Sequence, residues 1–187
     1  MNTYDITRSD LLVNPSMIQK VVFSSPWFDL VAKTMKEGQS PYYSLAMQDY
    51  VSILATTEEG DLLLVRQFRP AVEEYTVELP SGHVEKWETP EAAARRELLE
   101  ETGYEVEALD FLGKLNPDTG RLGNKFWCFT ASHLKKKTPV NLPEEGLELI
   151  HCRPTDLKTM MLEGRFNHAL HLSMVAMALV KGKLSLF

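Results

Sequence analysis

The sequence predicts an α/β (α+β) chain in which a mixed sheet lies between helices, with an antiparallel β segment ahead of it. Three observations lead there. Alternating or β-branched runs dominate from Ile18 to Leu79, one strong helix signal follows from Pro90, and three further extended runs precede two helical runs at the C-terminal end. That order suits helices on both faces of a sheet. A boundary near residue 45 divides a tail and β segment (1–45) from the main domain (46–187).

In chain order, residues 1–16 are polar and unpatterned and read as a loose tail. IQKVVFSS and WFDLVAKTMK read as extended, with a break at Ser24–Pro26 and a turn at Glu37–Pro41. Tyr42–Thr57 reads as one strand, Glu58–Asp61 as a hairpin turn, and Asp61–Phe68 as the return strand, with Leu62–Val65 continuously buried. After a bend at Gln67–Pro70 comes a short strand, Tyr75–Leu79, and then a loop through Pro80, Ser81 and Gly82. Tyr104–Leu115 reads as a strand broken at Asp110, and Lys125–Ala131, rich in aromatics, as a buried strand. Residues 133–141, with Lys135, Lys136 and Lys137, read as an exposed loop, and Leu147–Cys152 as the last strand. Thr155 is expected to cap a helix to Glu163, and Asn167 one to Val180. The latter is apolar nearly all round, so it should be buried on the sheet or in a subunit contact.

Composition narrows the function. Net charge is −6 with 20 basic and 26 acidic residues, which disfavours a long nucleic-acid surface or a membrane patch. Small anionic ligands need only a local field. Cys128 and Cys152 lie in apolar strand-like runs and read as buried thiols of a reducing compartment. MNTYDITRSD lacks the pattern of a signal peptide, and the apolar run near Leu172–Val180 is too short to span a bilayer. A cytoplasmic location is expected.

The chemistry concentrates in GHVEKWETPEAAARRELLEETGY, Gly82–Tyr104. Thr89 can cap a helix, Pro90 suits its first position, Glu91 suits the positive end of its dipole, and Gly103 is a left-handed stop. On the helix Glu97, Glu100 and Glu101 share one face at i, i+3 and i+4. Three crowded carboxylates repel one another. Such a face is either well solvated or holds a divalent cation.

Gly82, Glu88, Arg96, Glu97, Leu98, Glu100, Glu101 and Gly103 stand at the spacings of a known pattern, with Tyr104 where an aliphatic residue is usual. The stretch resembles the Nudix box of the Nudix hydrolases. The resemblance implies an α/β/α sandwich with a mixed sheet and hydrolysis of a pyrophosphate bond with Mg²⁺, for which Mn²⁺ can substitute. It implies that Glu97 and Glu101 are the main metal ligands, that Glu100 shares or bridges a second ion, and that the Ser81 carbonyl adds an oxygen. Arg96 and Glu88 would form an ion pair that orients the ligands. In the nucleotide-sugar hydrolase branch that the chain also resembles, a glutamate on a loop before the last strand often acts as general base, a position that Glu145 fits first and Glu144 second. Glu145, Glu100 and Arg96 are therefore the residues expected to carry the reaction.

VRQFRPAVEEYTVELPSGHVE, Val65–Glu85, reached through a long β segment, resembles the ADP-ribose pyrophosphatase and nucleotide-sugar hydrolase branch. That implies a nucleotide-sugar substrate and a homodimer whose N-terminal strands complete the site. Trp27 and Tyr43 then become candidates for stacking on the nucleobase, with Phe28 and Tyr42 as neighbours, and Arg69 a candidate for a phosphate contact. Pro117 stands earlier than the proline that marks the ADP-ribose subgroup, so GDP-mannose or another nucleotide sugar stays open beside ADP-ribose. The competing readings are a hydrolase of nucleoside triphosphates or dinucleoside polyphosphates, and a non-catalytic nucleotide-sugar sensor. None of the five histidines is assigned a role.

Overall fold

Successive side chains of a strand point to opposite faces, so a strand buried on both faces feeds two cores. In the computed structural model, which describes residues 17–137 and 146–186, the central strands behave in this way. The chain forms two compact units.

The first unit contains the residues up to Met47 together with Asp118–Gly123. Its strands are β1 (Ile18–Ser24), β2 (Asp29–Thr34) and β3 (Tyr42–Ala46), an antiparallel meander in that spatial order. Ser25 builds the first turn, its hydroxyl accepting from the Trp27 and Phe28 amides at 3.2 and 3.0 Å. Segment 118–123 runs beside β3: the Leu45 amide donates to the Arg121 carbonyl at 2.8 Å, and the Arg121 guanidinium lies 4.9 Å from the Tyr42 ring centre. Every residue of β1 is exposed, including Ile18, Val21 and Phe23.

The second unit contains Gln48–Pro117 and Asn124–Phe187. Its elements are β4 (Tyr50–Ala55), β5 (Leu62–Arg69), β6 (Glu74–Glu78), β7 (Ser81–His83), α1 (Pro90–Thr102), β8 (Tyr104–Leu115), β9 (Phe126–Lys136), β10 (Glu148–Cys152), α2 (Pro154–Leu162) and α3 (Ala169–Val180). One sheet is mixed, in the order β7-β4-β9-β8 with β4 and β9 parallel. The other is antiparallel, in the order β10-β5-β6. Ile53 and Leu63 pack in a core with Ala93, Ala94 and Leu98 of α1. Their neighbours Leu54 and Leu64 pack in another core with Leu157 of α2 and Met174, Val175 and Ala178 of α3. The sheets thus lie between α1 and the α2–α3 pair, the sandwich expected from the order of elements. Cys128 and Cys152 are both buried and unpaired, and burial pushes the Cys128 thiol up to about 12.

Several elements depart from the sequence reading. The strand expected over 42–57 is two, β3 and β4, and Ser81–His83 is a strand rather than loop. β8 is unbroken at Asp110; its irregularity is a register shift between Phe111 and Gly113. β9 continues through His133 and takes Lys135 and Lys136 into the ladder. Opposite charges explain this: Lys135 pairs with Glu107, and Lys137 with Glu105 at 2.9 Å. α2 starts at Pro154 after Arg153, without a side-chain cap, and α3 is capped by His168 rather than Asn167.

Candidate active site

α1 is fixed at both ends by its own sequence. The Thr89 hydroxyl accepts from the Ala92 amide at 3.2 Å, and Gly103, at φ 74°, donates to the Leu99 carbonyl at 2.9 Å. Because Ala93, Ala94 and Leu98 face the core, the glutamates on the other side are turned toward a cavity of about 790 Å³. Ser81, Gly82, Arg96, Glu97, Glu100 and Glu101 line it, as does Arg69 from β5.

Arg96 is the hub of this wall. Its Nε and Nη2 donate to the two Glu88 oxygens at 3.1 and 3.0 Å, and Nη2 also reaches the His83 carbonyl at 3.0 Å. Its Nη1 donates to Glu97 at 2.8 Å and to Glu100 at 3.0 Å. The guanidinium holds the Glu88 carboxyl below its ordinary value and is itself raised by Glu88 first. Arg96 therefore ties the loop carboxylate to two helix carboxylates.

Glu97 and Glu101 are electrostatically different. Burial raises Glu97 despite Arg96. Glu101 is 7% exposed and is pushed up to about 8, by burial first, against a single backbone donor, the Ser81 amide at 2.9 Å. Gly82 is the residue that admits Glu97: a Cβ there would stand 2.1 Å from the Glu97 carboxylate. Two desolvated carboxylates short of donors are stable when protonated or when a cation lies between them. An all-oxygen donor set without thiolate fits a hard divalent cation.

The expected site residues are distributed as follows. Arg69, Ser81, Arg96, Glu97, Glu100 and Glu101 share the cavity. Trp27 and Tyr43 belong to the first unit, where they are 74% and 48% exposed. Glu144 and Glu145 lie outside the described residues.

A second cluster was not assigned from sequence. Glu78, His168 and His171 bring one carboxylate oxygen and two ring nitrogens within 4.8 Å of one another, on the same cavity. Glu78 accepts from Arg69 Nε and Nη2 at 2.8 and 2.7 Å and from the Thr76 hydroxyl at 2.6 Å. These donors outweigh burial and bring its carboxyl down to about 2. Only the spacing of the two histidines, i and i+3 at the start of a helix, hinted that they share a face.

Residues 47–171 match the NUDIX domain model. The chain belongs to the Nudix family. It is 38% identical over 87 residues to the methanol dehydrogenase activator of Bacillus methanolicus, covering 46% of this chain and 47% of that protein. It is 51% identical over 59 residues to the ADP-ribose pyrophosphatase of Bacillus subtilis (strain 168), covering 32% of each. The matched segments thus span about half or less of these curated relatives. The fold is also that of the crystal structure of an ADP compounds hydrolase, at TM-score 0.75 and 22% identity over 92% of this chain and 97% of the other. The Nudix box read over Gly82–Tyr104 lies inside the matched region, and the resemblance to the ADP-ribose pyrophosphatase branch is borne out by the Bacillus subtilis relative.

Proposed function

We propose that this Nudix protein hydrolyses the pyrophosphate bond of a nucleoside diphosphate sugar, with ADP-ribose as the foremost substrate and AMP and ribose 5-phosphate as products. One observation carries the reading: a single cavity joins a fixed guanidinium, Arg69, to the desolvated carboxylates of Glu97 and Glu101, each with one hydrogen-bond donor. A diphosphate ester needs both poles, a cation-binding end and an anion receptor.

Glu97, Glu101, Glu100 and the Ser81 carbonyl would hold Mg²⁺, or Mn²⁺ in its place. When bound, the ion supplies charge neutralisation and Lewis acidity at the phosphorus. The rest falls to the chain. Arg96 keeps Glu97 and Glu100 oriented through Glu88. Arg69 takes a phosphate oxygen of the substrate. Glu145 removes a proton from the attacking water, whose oxygen bonds to one phosphorus as the bridging P–O bond breaks. The other phosphate leaves with the bridging oxygen.

The first unit completes this picture as the arm of a homodimer. Ile18, Val21 and Phe23 are exposed along β1, an apolar edge that a second copy would cover. Trp27 and Tyr43 would stack on the nucleobase. On this reading residues 1–45 serve dimerisation and substrate contact, 46–187 serve catalysis, and the protein works in the cytoplasm. Among the described residues no helix is long and apolar enough to cross a membrane.

A panel of nucleotide sugars, nucleoside triphosphates and dinucleoside polyphosphates, assayed with Mg²⁺ and a coupled phosphatase, tests the substrate class. Turnover of ADP-ribose above the triphosphates is expected. Turnover of triphosphates alone would contradict the proposal, and a monomer in solution scattering would contradict the dimer.

A further inference from the structure

Four consecutive residues, from Glu78 at the end of β6 to Ser81 at the start of β7, each make a bond to a different element. Glu78 accepts from Arg69 of β5. The Leu79 amide donates to His171 Nδ1 of α3 at 3.2 Å. The Pro80 carbonyl accepts from the Ile53 amide at 2.9 Å and the Ser52 hydroxyl at 3.2 Å, both of β4. The Ser81 amide donates to Glu101 of α1. One pinned stretch therefore carries Arg69 at one end and Glu101 at the other.

The composition of Glu78, His168 and His171 suits a cation, but their bonding does not. Both Nδ1 lone pairs are taken by backbone amides, His171 Nδ1 by Leu79 and His168 Nδ1 by the His171 amide at 3.4 Å. Neutral rings bonded in this way carry their proton on Nε2 and present a donor, not a ligand. Glu78 already accepts three hydrogen bonds, two of them from a guanidinium that would repel a cation.

We propose that Glu78 is a positioning residue for substrate binding: it holds Arg69 by Nε and Nη2, so that Nη1, which has no protein partner among the described residues, is presented to a substrate phosphate at a fixed place relative to Glu101. His171 supports it by anchoring the backbone at Leu79. Glu78 is 1% exposed while the Arg69 side chain is 42% exposed, so the carboxylate lies behind the guanidinium rather than beside the ligand. A planar guanidinium gripped on two nitrogens loses little further freedom when a phosphate arrives. The inference rests on the hydrolase reading above.

The test is a double-mutant cycle read by calorimetric binding of an ADP-ribose analogue whose diphosphate is bridged by methylene. Glu78→Gln should weaken binding about tenfold, the scale of a charged hydrogen bond. In an Arg69→Ala background the same change should add no more than about twofold. In turnover, the loss should appear in KM more than in kcat. Wild-type affinity in Glu78→Gln, or losses that multiply in the double variant, would overturn the positioning role alone. A wild-type protein that fails to bind the analogue overturns the hydrolase reading and this inference with it. Should Glu78→Gln not fold, His171 offers a second route: His171→Leu removes the acceptor for Leu79 and should weaken binding, whereas His171→Asn keeps an acceptor near Nδ1 and should restore it. Equal affinity in those two variants would also overturn the proposal.

Discussion

Glu78 and Glu101 line the same cavity and are almost equally buried, at 1% and 7% exposed, yet they sit at opposite ends of the carboxylate range. Glu78 is held at about 2 by Arg69 and Thr76; Glu101 is driven to about 8 with one amide to oppose its burial. Burial alone therefore does not assign a role. The number and charge of the donors decides whether a buried carboxylate is a finished structural anion or one that still needs a cation.

Removing the unfinished carboxylate should have the largest effect. Glu101→Gln should reduce turnover of ADP-ribose by more than about 100-fold, since even residues behind a metal ligand cost 10–100-fold. Circular dichroism should show the fold intact, and wild-type turnover would break the contrast. Gly82→Ala comes next. The new Cβ must displace the Glu97 carboxylate, so kcat/KM should fall about 10–100-fold with a raised divalent-ion requirement. A fall of less than about threefold would show that Glu97 needs no such cradle.

Stability against pH sharpens the contrast without an assay of turnover. The folded-state value of Glu78, about 2, lies below its ordinary 4.5. Its contribution is present above 4.5 and lost as pH falls toward 2. The folded-state value of Glu101, about 8, lies above 4.5. Its contribution is present below 4.5 and lost as pH rises through 8 when divalent ions are chelated. Thermal melts in chelator should thus show Glu78→Gln flattening the acid limb and Glu101→Gln the alkaline limb, the latter by about 4 °C or more at pH 8. Matching limbs in the two variants would contradict the opposite shifts. The smallest effect belongs to Thr89→Ala, which removes the cap of α1. A loss of about 1 kcal/mol in urea unfolding is expected, with KM unchanged; an altered KM would mean that the cap also shapes the site.

Half of this contrast was legible in the sequence. Glu97, Glu100 and Glu101 repeat at helical spacing between Thr89 and Gly103, and Gly82, Glu88 and Arg96 stand close by, so local rules placed them together. Of the opposing wall only Arg69 was legible, from its place in QFRP before the bend. Arg69, Glu78 and His171 come from β5, β6 and α3, and the bond between Leu79 and His171 spans 92 residues. No spacing rule reaches that far, and a buried Glu in a strand reads only as an exception to alternation. Lys135, near the end of β9, and Lys137, just past it, read as loop for a related reason. Their partners Glu105 and Glu107 lie on β8, so a run that looked like solvated loop is a charged strand edge. The order of the elements suggested a sheet between helices, which is why the sandwich could be anticipated, whereas the strand order and the split at β3 and β4 could not.

The most direct measurement of the central claim is Mn²⁺ binding followed by electron paramagnetic resonance, without substrate, in wild type, Glu78→Gln and Glu101→Gln. Loss of the bound ion in Glu101→Gln with wild-type affinity in Glu78→Gln is the predicted result. Unchanged binding in Glu101→Gln, or a loss in Glu78→Gln as large as in Glu101→Gln, would contradict it.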